Sequence, residues 1–175
     1  MKKIALLFIA LMFVVSTANA QKGAMKVEPS LVLAFAPTGY NTGFGANGTF
    51  FYGINKNIDL TGTVGYVTWG SDIADVSLST IPVLIGGRYS FAVEGTITPY
   101  VAAELGLHFL TFKMPSYTYF GTTYGGNESS SEFGLGIGGG AYINLGSLTI
   151  DGNLEYNKMG GSSYFAVRAG VMFAL

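Results

Sequence analysis

The sequence predicts an all-β fold: an eight-stranded, antiparallel, up-and-down barrel that crosses a membrane. Three observations predict it. Only 11% of the 175 residues are charged, against about 25% in an ordinary soluble domain. The chain holds 26 Gly, 11 Tyr and 13 Phe, residues of tight turns and of pleated, half-buried surfaces. Apolar residues recur at every second position in eight segments, and turn-forming residues separate those segments.

The segments follow in order. In Glu28 to Phe35, Leu31, Leu33 and Phe35 share a face. In Gly48 to Asn55, Phe50, Tyr52 and Ile54 do so. In the third, Ile58, Leu60, Val64 and Tyr66 alternate with Asp59, Thr61, Thr63 and Gly65. In the fourth, Ile81, Val83, Ile85, Tyr89 and Phe91 oppose Thr80, Pro82, Gly86, Arg88 and Ser90. The fifth sets Val101, Ala103, Leu105, Leu107 and Phe109 against Tyr100, Glu104, Gly106 and His108. The sixth sets Phe133, Leu135, Ile137, Ala141 and Ile143 against Gly134, Gly136, Gly138, Gly140 and Tyr142. In the seventh, Leu148, Ile150, Leu154 and Tyr156 oppose Thr149, Asp151, Asn153 and Glu155. In the last, Phe165, Val167, Val171, Phe173 and Leu175 oppose Tyr164, Arg168, Gly170 and Met172.

The direction of the alternation decides what is inside. A soluble barrel covers its outside with Lys and Glu. Here the polar set is small, glycine-rich and too poor in charge for a water-facing exterior, so it suits a cramped lumen, and the apolar set faces lipid. Closure is then compulsory, because lipid offers no hydrogen bonds to an open sheet edge. Strand lengths fit the roughly 9–11 residues that a tilted membrane strand needs.

The N-terminus reads as an export signal over residues 1–20. Lys2 and Lys3 precede an apolar run of 12 residues, Ile4 to Val15, and Ala18-Asn19-Ala20 supplies a cleavage pattern. Cleavage between Ala20 and Gln21 leaves a barrel domain over 21–175 with seven basic and ten acidic residues. The run is too short for a membrane helix, which takes about 20 residues. The expected location is the bacterial outer membrane. Low charge excludes a basic nucleic-acid binder, and the absence of Cys excludes disulfides and thiolate chemistry.

The connections predict an orientation. Asn55 to Asn57, Ala92 to Ile97 and Asn144 to Ser147 are short. Ala36 to Gly45, Thr68 to Ser77, Phe112 to Ser131 and Asn157 to Ser163 are mostly longer. Short turns on the periplasmic side with long loops outside is the bacterial pattern. The longest loop, 112–131, carries Tyr117, Tyr119, Phe120 and Tyr124 among small polar residues, a composition that suits a recognition surface or a loop beside lipid headgroups.

Several runs resemble the family of small outer-membrane β-barrel domains. The chain ends Arg168-Ala169-Gly170-Val171-Met172-Phe173-Ala174-Leu175. This is similar to the C-terminal signal by which such barrels are recognised for assembly, a pattern set here by Arg168, Gly170, Phe173 and Leu175; the last residue is Leu where the signal more often has Phe or Trp. Ile81-Pro82-Val83-Leu84-Ile85-Gly86-Gly87-Arg88-Tyr89 resembles the family's fourth strand. Pro99-Tyr100-Val101 with Glu104-Leu105-Gly106, and Leu154-Glu155-Tyr156-Asn157, resemble its fifth and seventh. The resemblance implies a barrel of OmpA or OmpW type, partnered by outer-membrane lipid and the barrel-assembly machinery. It implies no reaction.

The inward parity gathers Asp59, Glu104, Asp151 and Glu155 with Arg88 and Arg168 into a lumen charge network. Buried charges must be paired or hydrogen-bonded, so each arginine is expected to meet a carboxylate. Arg88 is expected near Asp59, and Arg168 near Glu104 or Asp151. The network either plugs the barrel or gates a weakly cation-preferring path. His108 is expected at the lumen rim. A catalytic reading would pair it with Asp72 or Asp75 and a loop serine, but no local signature accompanies the single His. Gly134-x-Gly136-x-x-Gly139 matches a dinucleotide fingerprint only as a string, because no helix follows it. Its glycines are expected to leave lumen space for side chains such as Tyr100 or Arg168. Pro82 predicts a bulge or broken pairing between Ser79 and Leu84, since proline removes a ladder hydrogen bond. Such a slip would explain why Leu78 and Leu84 fall on the lumen parity.

The expected role is structural or surface-interacting and non-enzymatic, without catalytic residues, metal or cofactor. The alternative is a narrow porin-like channel for ions or small hydrophobic molecules. A monomer is expected, with no nucleic-acid partner and with loop 112–131 as the place for a surface ligand.

Overall fold

In a computed structural model, which describes residues 23–35, 40–72, 76–120, 122–146 and 148–175, the eight alternating segments are eight strands. They are β1 (Met25–Phe35), β2 (Gly43–Gly53), β3 (Ile58–Gly70), β4 (Ser77–Ser90), β5 (Ile97–Tyr119), β6 (Thr122–Asn144), β7 (Thr149–Met159) and β8 (Ser162–Ala174). Each pairs antiparallel with its sequence neighbour, and β1 pairs with β8 to close the barrel. No described helix is long and apolar enough to cross a membrane. Residues 1–20, with the Ala20–Gln21 cleavage position, lie outside the described residues, as does Asp75.

The side chains divide as the alternation requires. Leu31, Val64, Ile85, Ile137, Leu154 and Phe165 are all at least half exposed on the outside. Thr49, Thr63, Arg88, Glu104, Asp151 and Glu155 are buried inside. This is the inverse of a soluble protein and gives a continuous apolar outer belt.

The start of β1, the end of β8 and the connections 54–57, 91–96 and 145–148 share one end of the barrel. In the first of these, Asn55 Oδ1 accepts the backbone N–H groups of Asn57 and Ile58, each at 2.9 Å. That is the local bond by which Asn makes turns.

The opposite end departs from expectation. Three of its four connections are short: 71–76, 120–121 and 160–161. The segment 112–131 is not a loop. β5 and β6 stay paired through it to Tyr119↔Thr122. Its Thr, Tyr and Phe residues favour strands, but with water on both faces they need not alternate with polar residues. A register shift between Met114 and Tyr117 falls beside Gly125. Gly125 has φ +86°, and a Cβ there would sit 2.1 Å from the Pro115 carbonyl oxygen, so only glycine fits the irregularity. β4 accompanies β5 only as far as Lys113, and β7 accompanies β6 only from Gly134. At about 3.3 Å per residue, β6 therefore continues roughly 40 Å past the end of β7.

Pro82 breaks the ladder without shifting it. β3 and β4 pair from Ile58↔Tyr89 to Val64↔Val83 and resume at Val67↔Thr80 in the same register. Pairing with β5 runs through Pro82↔His108 without interruption. Where the proline N–H is missing, the pairing skips Gly65 opposite Pro82 and Tyr66 opposite Ile81, and no extra residue is inserted. Leu84 is buried in the lumen and Leu78 packs there because their parity puts them there, not because the strand slips. Pro29 does the same between β1 and β8, where pairing passes from Val27↔Phe173 to Ser30↔Gly170.

Candidate functional site

The lumen holds the polar chemistry of the described residues, stacked in layers along the barrel axis. Nearest the chain termini, Lys26 Nζ meets Asp59 Oδ2 at 2.9 Å. Asp59 and Arg88 are register partners across β3 and β4, yet Asp59 pairs with Lys26 and not with Arg88. The Arg88 side chain instead reaches across the lumen. Its Nη1 donates to Asp151 Oδ2 at 2.8 Å, Glu28 Oε2 at 3.3 Å and Tyr142 Oη at 3.1 Å.

Aromatic rings complete this layer. The Arg88 guanidinium lies 4.7 Å from the Phe51 ring centre and 4.6 Å from that of Tyr100, distances at which the ring faces attract a cation. Tyr100 stacks on Tyr142 at 4.6 Å and donates its hydroxyl to Asp151 at 2.7 Å.

The next layer belongs to Arg168. Its Nη2 donates to Glu104 Oε2 at 3.2 Å and to Glu155 Oε2. Thr63 donates to Glu104 Oε1 at 2.9 Å. Asp151, one of the two carboxylates expected for Arg168, is bound to Arg88 instead. Both arginines sit between two carboxylates. With Lys26–Asp59 included, five acids face three bases, a formal −2.

Glu28 and Lys26 were not anticipated as members. The signal was available in the alternation: both share the inward parity of Ser30 and Val32 on β1. The strand begins at Met25, three residues before the start that the alternation predicts, and so takes in Lys26.

Above Arg168 lies His108, completely buried, with neither ring nitrogen hydrogen-bonded among the described residues. It stands edge-on to Tyr164 with ring centres 6.4 Å apart. It is a lumen residue below the rim. Asp72 accepts from Asn41 Nδ2 at 3.0 Å, and no His–Asp contact forms among the described residues. Among the described residues, no cluster of three or more His, Asp or Glu is placed to hold a metal ion.

The outermost layer is apolar. Val32, Ala34, Val67, Trp69, Met159, Tyr164 and Ala166 form one buried cluster. Trp69 donates its ring N–H to the Ala34 carbonyl oxygen at 3.1 Å, which removes the cost of burying that donor.

The glycine run of β6 is steric. A Cβ at Gly134 would sit 2.3 Å from the His108 ring, one at Gly136 2.7 Å from Glu155, and one at Gly140 2.6 Å from the Tyr100 hydroxyl. The space serves Tyr100, as expected, and also His108 and Glu155. In the C-terminal motif, Gly170 makes room for Glu28, 2.9 Å from its absent Cβ. Phe173 is half exposed on the outer face, and the Leu175 N–H donates to Met25 O at 2.9 Å.

No family model and no curated relative matches the chain. Solved structures do. The attachment invasion locus protein Ail of Yersinia pestis is 19% identical, with a TM-score of 0.62 over 88% of this chain and 99% of its own. Neisserial surface protein A is 19% identical, with a TM-score of 0.62 over 90% of this chain and 98% of its own. The N-terminal β-barrel domain of OprF from Pseudomonas aeruginosa is 16% identical, with a TM-score of 0.51 over 89% and 99%. At these identities the likeness is one of architecture. The chain has the fold of the small eight-stranded outer-membrane barrels.

Proposed function

We propose that the chain is an exported, non-enzymatic outer-membrane protein whose sealed barrel anchors the β5–β6 hairpin outside the cell. The observation that carries this reading is the contrast between a packed lumen and an open hairpin. The lumen is filled by two arginine layers and the Trp69 cluster. Beyond the rim, the β7 side of residues 122–132 has no ladder partner among the described residues. Such an edge takes up an extended segment of another protein by adding a strand. Glu128 and Glu132 place charge along it, which discourages indiscriminate edge pairing. Two of the similar structures are named for attachment and for the cell surface, in keeping with this role.

Residues 1–20 then serve as the cleaved signal, and Phe173 and Leu175 lie in the segment read by the assembly machinery. The protein acts as a monomer. Cell fractionation tests the reading: the mature protein should sediment with outer membranes, resist carbonate extraction and lose residues 112–131 to protease added outside whole cells. Recovery as a soluble periplasmic protein would overturn it.

The lumen's formal −2 favours one second reading, a gated path for cations. It requires the arginine layers to open, which conductance recordings decide.

A further inference from the structure

The outer wall carries a polar feature where tall β6 steps past short β7. Gly160 donates its N–H to Phe133 O at 3.1 Å. Two pairs below, Leu135 stands directly across from Lys158. Glu132, Phe133, Leu135, Lys158 and Gly160 line an open groove of about 320 Å³. Glu132 has inward parity, but at its height β7 has ended. Its carboxylate lies over Gly160, where an added Cβ would sit 2.5 Å from Oε2.

Two features make this groove unlike its surroundings. First, an acid and a base share it, yet the described residues give neither Glu132 nor Lys158 an ion pair or side-chain hydrogen bond. Second, the groove opens downward onto the apolar belt, where Ile137, Leu154, Tyr156 and Phe165 are exposed. A separated cation and anion above an apolar strip complement an amphiphile that carries a phosphate, an amine and an acyl chain.

We propose that this groove binds the headgroup of a phosphoethanolamine lipid. Lys158 takes the phosphate, Glu132 accepts hydrogen bonds from the ammonium, and Leu135 and Ile137 carry the first part of an acyl chain. Gly160 is part of the site because any side chain there would occupy the position of the carboxylate. An anionic headgroup without the amine meets repulsion from Glu132. A trimethylated amine has no N–H to donate to it. The proposal rests on the membrane reading given above.

The test is native mass spectrometry of the barrel released from micelles. The micelles hold equal amounts of phosphatidylethanolamine, phosphatidylglycerol and phosphatidylcholine with identical acyl chains. The wild type should retain phosphatidylethanolamine about threefold over each of the others, the scale of one exposed ion pair. Glu132→Gln should bring phosphatidylethanolamine down to the level of phosphatidylcholine. Lys158→Gln should lower the retention of all three lipids together, because each carries the phosphate. Heat-dependent gel mobility reports whether each variant is folded, and the wild-type comparison stands without any variant. Equal retention of all three lipids by the wild type, or an unchanged preference in Glu132→Gln, would overturn the proposal. A protein that stays soluble and monomeric without detergent would instead show that the membrane reading has failed.

Discussion

β5 and β6 each run through two solvents, and the two halves of this one hairpin obey different rules. Below the rim, from Ile97 to Phe109 and from Phe133 to Asn144, the strands alternate strictly. Leu105, Leu107, Leu135 and Ile137 face out, and Glu104, His108, Gly134 and Gly136 face in. Above it, Lys113, Met114, Pro115 and Ser116 are exposed in succession, as are Glu128 to Ser131. The backbone pairing is the same in both halves. What differs is whether the two faces meet different media. Alternation is therefore a record of environment, and strands whose two faces both meet water do not carry it.

Three variants sharpen that contrast. The largest effect belongs to Arg88→Ala. It strands Glu28 and Asp151 in the lumen and removes the cation between Phe51 and Tyr100. Losing one partner of a buried ion pair costs about 3–5 kcal/mol, and urea unfolding in detergent should show a loss of this size. On the opposite face of the wall, Ile137→Arg places a charge in lipid. A cost of about 2–4 kcal/mol is expected for such a residue near the bilayer midplane, and the loss should be larger in bilayers than in micelles. The smallest effect is above the rim. Glu128→Lys lies on an exposed part of the hairpin, so barrel unfolding should move by less than about 0.5 kcal/mol. If the Glu128 change destabilised the barrel as much as the Arg88 change, the hairpin and barrel would be one energetic unit, and the contrast would fail.

The same contrast explains what the sequence made legible. Eight strands, closure and the lumen parity were readable because a lipid-facing strand cannot hide its period. The upper hairpin has the sequence of a loop because Ser129, Ser130, Ser131 and Glu132 have no apolar alternates between them. Parity alone did not assign pairs within the lumen. Arg88 and Asp59 are neighbours in the ladder, yet the long guanidinium side chain spans the barrel to Asp151 and leaves Asp59 to Lys26. Pairing across a lumen depends on side-chain reach and on the room left by glycines, and neither is written in the period. The alternation around His108 stops soon after it, which points to the rim. The continuation of β5 to Tyr119 puts it well inside.

The central claim is that the lumen is a plug that holds the wall together. Planar-bilayer recording tests it most directly, on the wild type and on Arg168→Ala, which removes the cation between Glu104 and Glu155. Background conductance is expected for both proteins, together with a lower melting temperature in detergent for the variant. Steady cation-selective openings in the wild type, or openings in Arg168→Ala with the melting temperature unchanged, would contradict it and make the arginine layers a gate.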